Sequence, residues 1–245
     1  MTQSKKAVKS VLIIILLTLS SKVFGFIREM LIAAKFGSGI ETDIFFIAHT
    51  AITLFTAMIT KSLNNTMIPV LSQVESTEGK TGKGKYTNNL LNITIIMSFF
   101  IVFIAWALAP LITKILATGF EGEQFKLTVL MVRIGLPAII FASIQGVFRG
   151  YLQSEHMFIE SAAAQYPLNF VYIFYLLFLT NIFEIKGLMV ISVFAVASQI
   201  ILQIPGVRGL GYRYNLTVDF KDKYIKKVFY LIPPILVSAT INDIN

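Results

Sequence analysis

Hydrophobic residues come in long runs along this chain, and the runs set its architecture. Val11–Leu19, Ile93–Ala109, Val129–Ile144, Phe170–Thr180 and Leu188–Ile204 each sit in a mostly apolar stretch of ~20 residues, the length a helix needs to cross ~30 Å of hydrocarbon. Backbone in lipid must satisfy its hydrogen bonds internally, so helices are the expected form. The pattern predicts an all-α, polytopic membrane helical bundle of about six or seven spans, near 10–35, 42–74, 88–117, 127–153, 159–181, 187–207 and 225–245, in a single transmembrane domain over 1–245. The second span is longer than one crossing needs, so it is expected to tilt or to project past the bilayer. Pro110, Pro137, Pro167, Pro205 and Pro233–Pro234 fall in or near spans, where proline kinks helices. Apolar character continues through Ala34 after Lys5, Lys6 and Lys9 with no evident cleavage site, so this stretch reads as an uncleaved first span.

Composition agrees with lipid as the solvent. The 245 residues are 56% hydrophobic and 14% charged, with mean hydropathy +0.75, whereas a soluble domain carries about a quarter charged residues. No cysteine is present, which excludes disulfides and thiolate metal sites. His49 and His156 make no metal-binding pattern, and no nucleophile–base constellation is visible. No metal, no cofactor and no enzymatic activity are therefore expected. The Gly- and Lys-rich segment Glu75–Tyr86 predicts a flexible cytoplasmic loop near 75–87. Gly79 to Lys85 satisfies GxxxxGK, but Tyr86 follows where a phosphate loop needs Ser or Thr, and no strand precedes it.

A net charge of +8 would suggest nucleic acid in a soluble protein. Here topology accounts for it. With a cytoplasmic amino terminus, the inside segments hold Lys5, Lys6, Lys9, Lys80, Lys83, Lys85, Arg149, Arg208, Arg213, Lys221, Lys223, Lys226 and Lys227. The outside segments hold Lys35, Lys114, Lys126 and Lys186, so the balance is thirteen to four, as the positive-inside rule requires. No nucleic-acid partner is expected.

Four basic residues remain inside spans: Lys22, Arg28, Lys61 and Arg133. A charge at bilayer depth costs ~2.5–3.5 kcal/mol or more unless it faces protein or water. On the first helix Thr18, Ser21, Gly25 and Arg28 are spaced 3, 4 and 3 and share a face, while Lys22 and Glu29 share a neighbouring one. The second helix carries Thr42, His49, Thr53, Thr56 and Thr60, with Asp43 at its outer end. Shorter stripes follow at Gln165, Asn169 and Tyr172 and at Ser192, Gln199 and Gln203. Such stripes serve either as helix-packing faces or as the walls of a wet, cationic cavity. A cavity with surplus positive charge suits an anion, which Arg and Lys hold through charge-assisted hydrogen bonds.

Ser21-Lys22-Val23-Phe24-Gly25-Phe26-Ile27-Arg28-Glu29, then Phe36-Gly37-Ser38-Gly39, then Thr42-Asp43-Ile44-Phe45 resemble the opening of the MurJ/MviN lipid II flippase family. That pattern reads roughly S-R-x-x-G-[FL]-x-R-[DE], a short FG-[AS]-G turn, then T-D-x-F. Weaker similarity continues through Ile68-Pro69-Val70-Leu71, Gly135-Leu136-Pro137, Gly146–Gln153, Pro167-Leu168-Asn169 and Pro233-Pro234-Ile235-Leu236. The resemblance implies the amino-terminal lobe of a two-lobe, alternating-access exporter of the multidrug/oligosaccharidyl-lipid/polysaccharide superfamily. Its implied substrate is a lipid-linked glycan pyrophosphate, moved across a bacterial inner membrane among membrane lipids. Arg28 matches a cavity arginine implied to hold the pyrophosphate, supported by Lys22. Glu29, Asp43 and Lys61 complete the implied substrate-binding set. The chain departs from the family in carrying Thr56 and Ala57 where adjacent basic residues stand, and Lys22 where arginine stands. With about fourteen helices in the family, a second lobe or a second copy is the implied partner. An exporter of another lipid-linked oligosaccharide, a cation-coupled drug antiporter and a non-transporting scaffold are the alternative readings.

Overall fold

The computed structural model describes residues 3–230, with side chains from residue 11 onward. The described elements are helical: α1 (Gln3–Phe36), α2 (Ile40–Ala107), α3 (Ala109–Leu116), α4 (Gly122–Gly135), α5 (Ala138–Ser154), α6 (Phe158–Ala163), α7 (Gln165–Phe178) and α8 (Thr180–Gly209). Residues 223–230 begin a further helix. The expected seventh span, with Pro233–Pro234, otherwise lies outside the described residues.

The boundaries between elements follow local chemistry. Gly37, at φ 66°, lets the chain leave α1 and re-enter helix at Ile40; a side chain there would be strained. Pro110 occupies the first turn of α3, where its missing N–H costs nothing. Pro137 separates α4 from α5 and caps the latter. The spans expected at 127–153 and 159–181 are thus each built from two helices joined at a break.

The segment expected to be a flexible loop is instead helical on both sides of one residue. At Gly79 (φ 69°, ψ −174°) α2 doubles back, so 40–78 and 80–107 form two antiparallel limbs. Glu75 meets Lys83 across the turn, and Ile59 faces the same groove as Met97 further along. The composition misleads because Lys, Glu and Thr around Gly79 continue a helix, and Gly79 alone supplies the reversal.

Among the described residues, four helices are long and apolar enough to cross a membrane: Val11–Phe36, Ile40–Ala107, Gly122–Ser154 and Thr180–Gly209. The hairpin of α2 makes two limbs, and α6 with α7 adds a broken stretch from Phe158 to Phe178. That gives six crossing-length passages, in keeping with a polytopic helical bundle.

Packing orders the helices. The α2 hairpin lies on α5, α5 on α8, α8 on α7, and α7 on α1. Glycines permit close approach of α5 to α2: a Cβ on Gly150 would stand 2.9 Å from Met67 Sδ, and one on Gly146 would stand 3.0 Å from Leu63 Cδ1. Two apolar clusters result. One joins the first limb of α2 to α4, α7 and α8 through Phe45, Ile52, Met131, Tyr175 and Met189. The other gathers Met67, Leu71, Leu90, Leu152 and Ile225 near the hairpin turn.

Candidate functional site

The polar stripes on α1, α2, α7 and α8 face one another. A cavity of about 340 Å³ is lined by Arg28 of α1, by His49, Thr53, Thr56 and Thr60 of α2, by Gln165 and Tyr172 of α7, and by Ser192 and Gln199 of α8. Helical periodicity places those residues on one side of each helix, and the packing order turns those sides inward. Thr18, Ser21, Gly25 and Asn169 stay out of it and line a neighbouring cavity instead, and Thr42 and Gln203 line neither. Thr42 is buried and donates to the Phe36 carbonyl at 3.4 Å, while Gln203 is fully buried farther along α8.

A second cavity, about 480 Å³, opens between α1 and the α5–α7 segment. It is lined by Thr18, Ser21, Lys22, Gly25 and Arg28 of α1, by Gln165 and Asn169 of α7, and by Arg149 and Gln153 of α5. Tyr166 and Asn169 hold α1 in place here. Tyr166 hydrogen-bonds Ser20, and the Asn169 amide donates to the Ser21 carbonyl at 3.1 Å. Phe24 packs edge-on against Phe170, ring centroids 5.1 Å apart.

Arg28 belongs to both cavities. Its Nη2 donates to Glu29 Oε1 at 2.6 Å, its Nη1 to Asn169 Oδ1 at 3.5 Å, and its guanidinium lies over the Tyr172 ring. Tyr172 also contacts His49 through a 3.3 Å hydrogen bond, and His49 stacks on Phe45. The Arg28 side chain is 20% exposed, so its ion pair leaves donors facing the cavity rather than sealing it in protein.

The other expected site residues scatter. Lys22 is exposed and lines only the second cavity. Glu29, half-exposed, reaches the site only through Arg28. Asp43 and Lys61 are exposed on α2 and line neither cavity. Arg133, counted among the intramembrane cations, is also elsewhere: its guanidinium lies 4.3 Å from the Trp106 ring centroid and its Nε donates to the Trp106 carbonyl at 3.3 Å. Cation–π stacking on indole relieves part of the cost of that charge.

Sequence reasoning missed Arg149. Charge alone assigned it to an inside loop, yet it sits within α5 and lines both cavities. The signal was present: Gln145, Arg149 and Gln153 recur every four residues, a polar stripe like those on the other helices. Two further polar features escaped notice. Lys83 is 1% exposed and is clasped by Glu75 at 2.7 Å and by Glu155, joining the hairpin to the end of α5. Asn88, Asn89 and Asn92 are buried on the second limb of α2 and grip the extended segment after α8. Asn88 Nδ2 donates to the Arg213 carbonyl at 2.9 Å, and Asn89 Nδ2 to that of Asp219 at 2.9 Å. Asn92 Nδ2 donates to the carbonyls of Asn215 and Thr217 at 3.1 and 2.9 Å. In return Asn215 N–H donates to Asn88 Oδ1 and Asp219 N–H to Asn89 Oδ1.

A family model described as lipid II flippase MurJ matches residues 32–245. A probable lipid II flippase MurJ of Rhizobium tropici is 26% identical over 240 residues, covering 93% of this chain and 44% of that protein. One of Buchnera aphidicola subsp. Baizongia pistaciae is 30% identical over 243 residues, covering 97% and 47%. Among solved structures, lipid II flippase MurJ in an inward closed conformation aligns with a TM-score of 0.71 at 18% identity, over 93% of this chain and 48% of that one. A MOP superfamily transporter from Pyrococcus furiosus gives the same TM-score, 0.71, at 12% identity, over 94% and 52%. At such identities the structural match speaks for the fold alone. The chain spans about half the length of the curated relatives it matches.

Proposed function

We propose that this chain, which belongs to the MurJ lipid II flippase family, forms one lobe of a flippase for a polyprenyl-pyrophosphate-linked cell-envelope precursor resembling lipid II. The precursor crosses the bacterial cytoplasmic membrane for peptidoglycan assembly, and the protein transports rather than reacts. One observation carries the reading. Arg28, Arg149 and Lys22 line two adjoining cavities whose described walls hold no carboxylate. Among the described residues, only Glu29, outside the lining, offsets any of that charge. Guanidinium groups in a low-dielectric pocket bind phosphate oxygens strongly and in a bidentate fashion.

The same observation weighs against a cation-coupled drug antiporter, because a cation would need carboxylates in the lining. It also weighs against a scaffold, whose polar stripes would interlock rather than enclose space. Alternating access would come from the lobe rocking against a second lobe or copy that closes the open side of the cavities. A membrane potential could drive it, since one charge moved across 100 mV is worth ~2.3 kcal/mol. The basic excess supports a cytoplasmic amino terminus.

The test is Arg28→Ala in the full protein, reconstituted in proteoliposomes. Translocation of a polyprenyl-pyrophosphate glycan is expected to be abolished while membrane insertion is unchanged. Translocation at the wild-type rate would remove the proposed role of Arg28 and with it this reading.

A further inference from the structure

Arg28, Arg149, Gln165 and Leu168 are common to the linings of both cavities. The wall between the cavities therefore carries two guanidinium groups from different helices, α1 and α5. Their situations differ. Arg28 has Glu29, Asn169 and the Tyr172 ring. Arg149 makes no ion pair or hydrogen bond among the described residues, and its Nε is buried without a partner. A buried Nε without a protein acceptor costs free energy, and a guanidinium on a spanning helix adds to that cost. Folds keep such a group where a ligand completes it.

Charge and shape narrow the ligand. Three cations face the joined cavities, and one carboxylate, Glu29, stands behind Arg28. The surplus of two positive charges matches an anion with at least two negative charges. The two guanidiniums, arriving from different helices, suit a group with two separate oxyanion centres better than one with a single centre. Their planar forks each fit one phosphate.

We infer that Arg28 and Arg149 form a pincer on the wall shared by the two cavities, each holding one phosphate of a pyrophosphate, with Arg149 the residue that selects pyrophosphate over monophosphate. The inference rests on the flippase reading above and adds the residue that sets its headgroup specificity. Gly146 and Gly150 serve the packing of α5 on α2, while Arg149 lines the cavities.

The experiment measures binding of polyprenyl pyrophosphate and polyprenyl monophosphate to the full protein in detergent, with inorganic pyrophosphate as competitor. Wild type is expected to prefer the pyrophosphate lipid at least tenfold. Arg149→Gln should erase that preference while leaving monophosphate affinity within about threefold, and Arg149→Lys should restore part of it. Because Arg149 has no partner among the described residues, Arg149→Gln should not lower the thermal midpoint of the unliganded protein, whereas the stabilisation by the pyrophosphate lipid should vanish. Retained preference in Arg149→Gln overturns the pincer and leaves the flippase reading standing. A lowered midpoint with retained preference assigns Arg149 to packing and overturns it as well. Failure of wild type to bind either lipid overturns both readings together. Competition by inorganic pyrophosphate that Arg149→Gln abolishes supports recognition of the phosphates themselves.

Discussion

The guanidinium carbon of Arg28 stands 5.0 Å from the centroid of the Tyr172 ring. An α1 cation and an α7 aromatic face thereby meet on the cavity wall, and the ring fixes where the guanidinium points. A cation–π contact of this kind is worth roughly 0.5–2 kcal/mol. Tyr172→Leu is therefore expected to weaken binding of a polyprenyl pyrophosphate by about 2- to 30-fold, the same energies read as affinity. Tyr172→Phe keeps the ring and loses the hydroxyl's contacts, the 3.3 Å bond to His49 among them, so its affinity should stay near wild type. If Phe proves as damaging as Leu, the hydroxyl rather than the ring is what matters.

Lys83 links the hairpin to the end of α5 through Glu75 and Glu155. Its removal strands two carboxylates in a partly dry site. Breaking a buried ion pair costs about 3–5 kcal/mol; since water reaches Glu75, Lys83→Met is expected near the low end. Adding Glu75→Gln and Glu155→Gln to Lys83→Met should recover most of the loss, read as the thermal midpoint in detergent. A single variant as stable as wild type would show the triad contributes nothing.

The same triad gives a pH dependence. Glu75 sits at the hairpin turn, beyond the crossing segments, and its hydrogen bond from Lys83 holds its carboxyl below the usual carboxylate range. A depressed carboxylate contributes stability above its unfolded pKa and loses it as pH falls through the folded value. Stability of the wild type should therefore decline on acidification, and Lys83→Met should flatten that decline. Parallel acid limbs in the two proteins would contradict the assignment.

Asn92 donates to two carbonyls of the segment after α8 while Tyr214 donates to its Oδ1 at 2.8 Å. Asn92→Asp has nearly the same shape but places a carboxylate against the Asn215 and Thr217 carbonyls. Leaving such groups unsatisfied costs about 1–3 kcal/mol. Trypsin should then cleave at Arg213 or Lys221 several-fold faster in Asn92→Asp than in wild type. Equal cleavage rates would mean the segment is held by something other than these amides.

Gly150 lets α5 approach Met67 of the hairpin. Gly150→Leu is expected to lower the thermal midpoint, with overpacking of this type costing about 1–3 kcal/mol. Met67→Ala in the same chain should return part of it by making room. Additive losses in the double variant would place the strain elsewhere.

What the sequence revealed was periodic, and what it hid was pairwise. The faces holding Arg28, His49, Thr53, Tyr172 and Gln199 could be drawn from spacing alone, and the packing does bring them together. Arg149 shared that legibility but was displaced by a rule about loop charge, which counts residues without asking which face they occupy. Lys83 looked like solvated loop because its partner Glu155 is 72 residues away, a distance no local pattern bridges. The Asn88, Asn89 and Asn92 group read as an ordinary polar entry to a span for the same reason. Asp43 and Lys61 lay on a helix that does contribute to the cavity, but at angles that turn them outward.

A stretch of chain without helix or strand of its own usually bends wherever its ends pull it. The run from Arg213 to Asp219 cannot, because the second limb of α2 holds it at four successive backbone stations. Whatever follows at 223 is thus towed by the hairpin. When α2 leans, the next helix must start from a tilted base, and the joint between them behaves as a bracket rather than a tether.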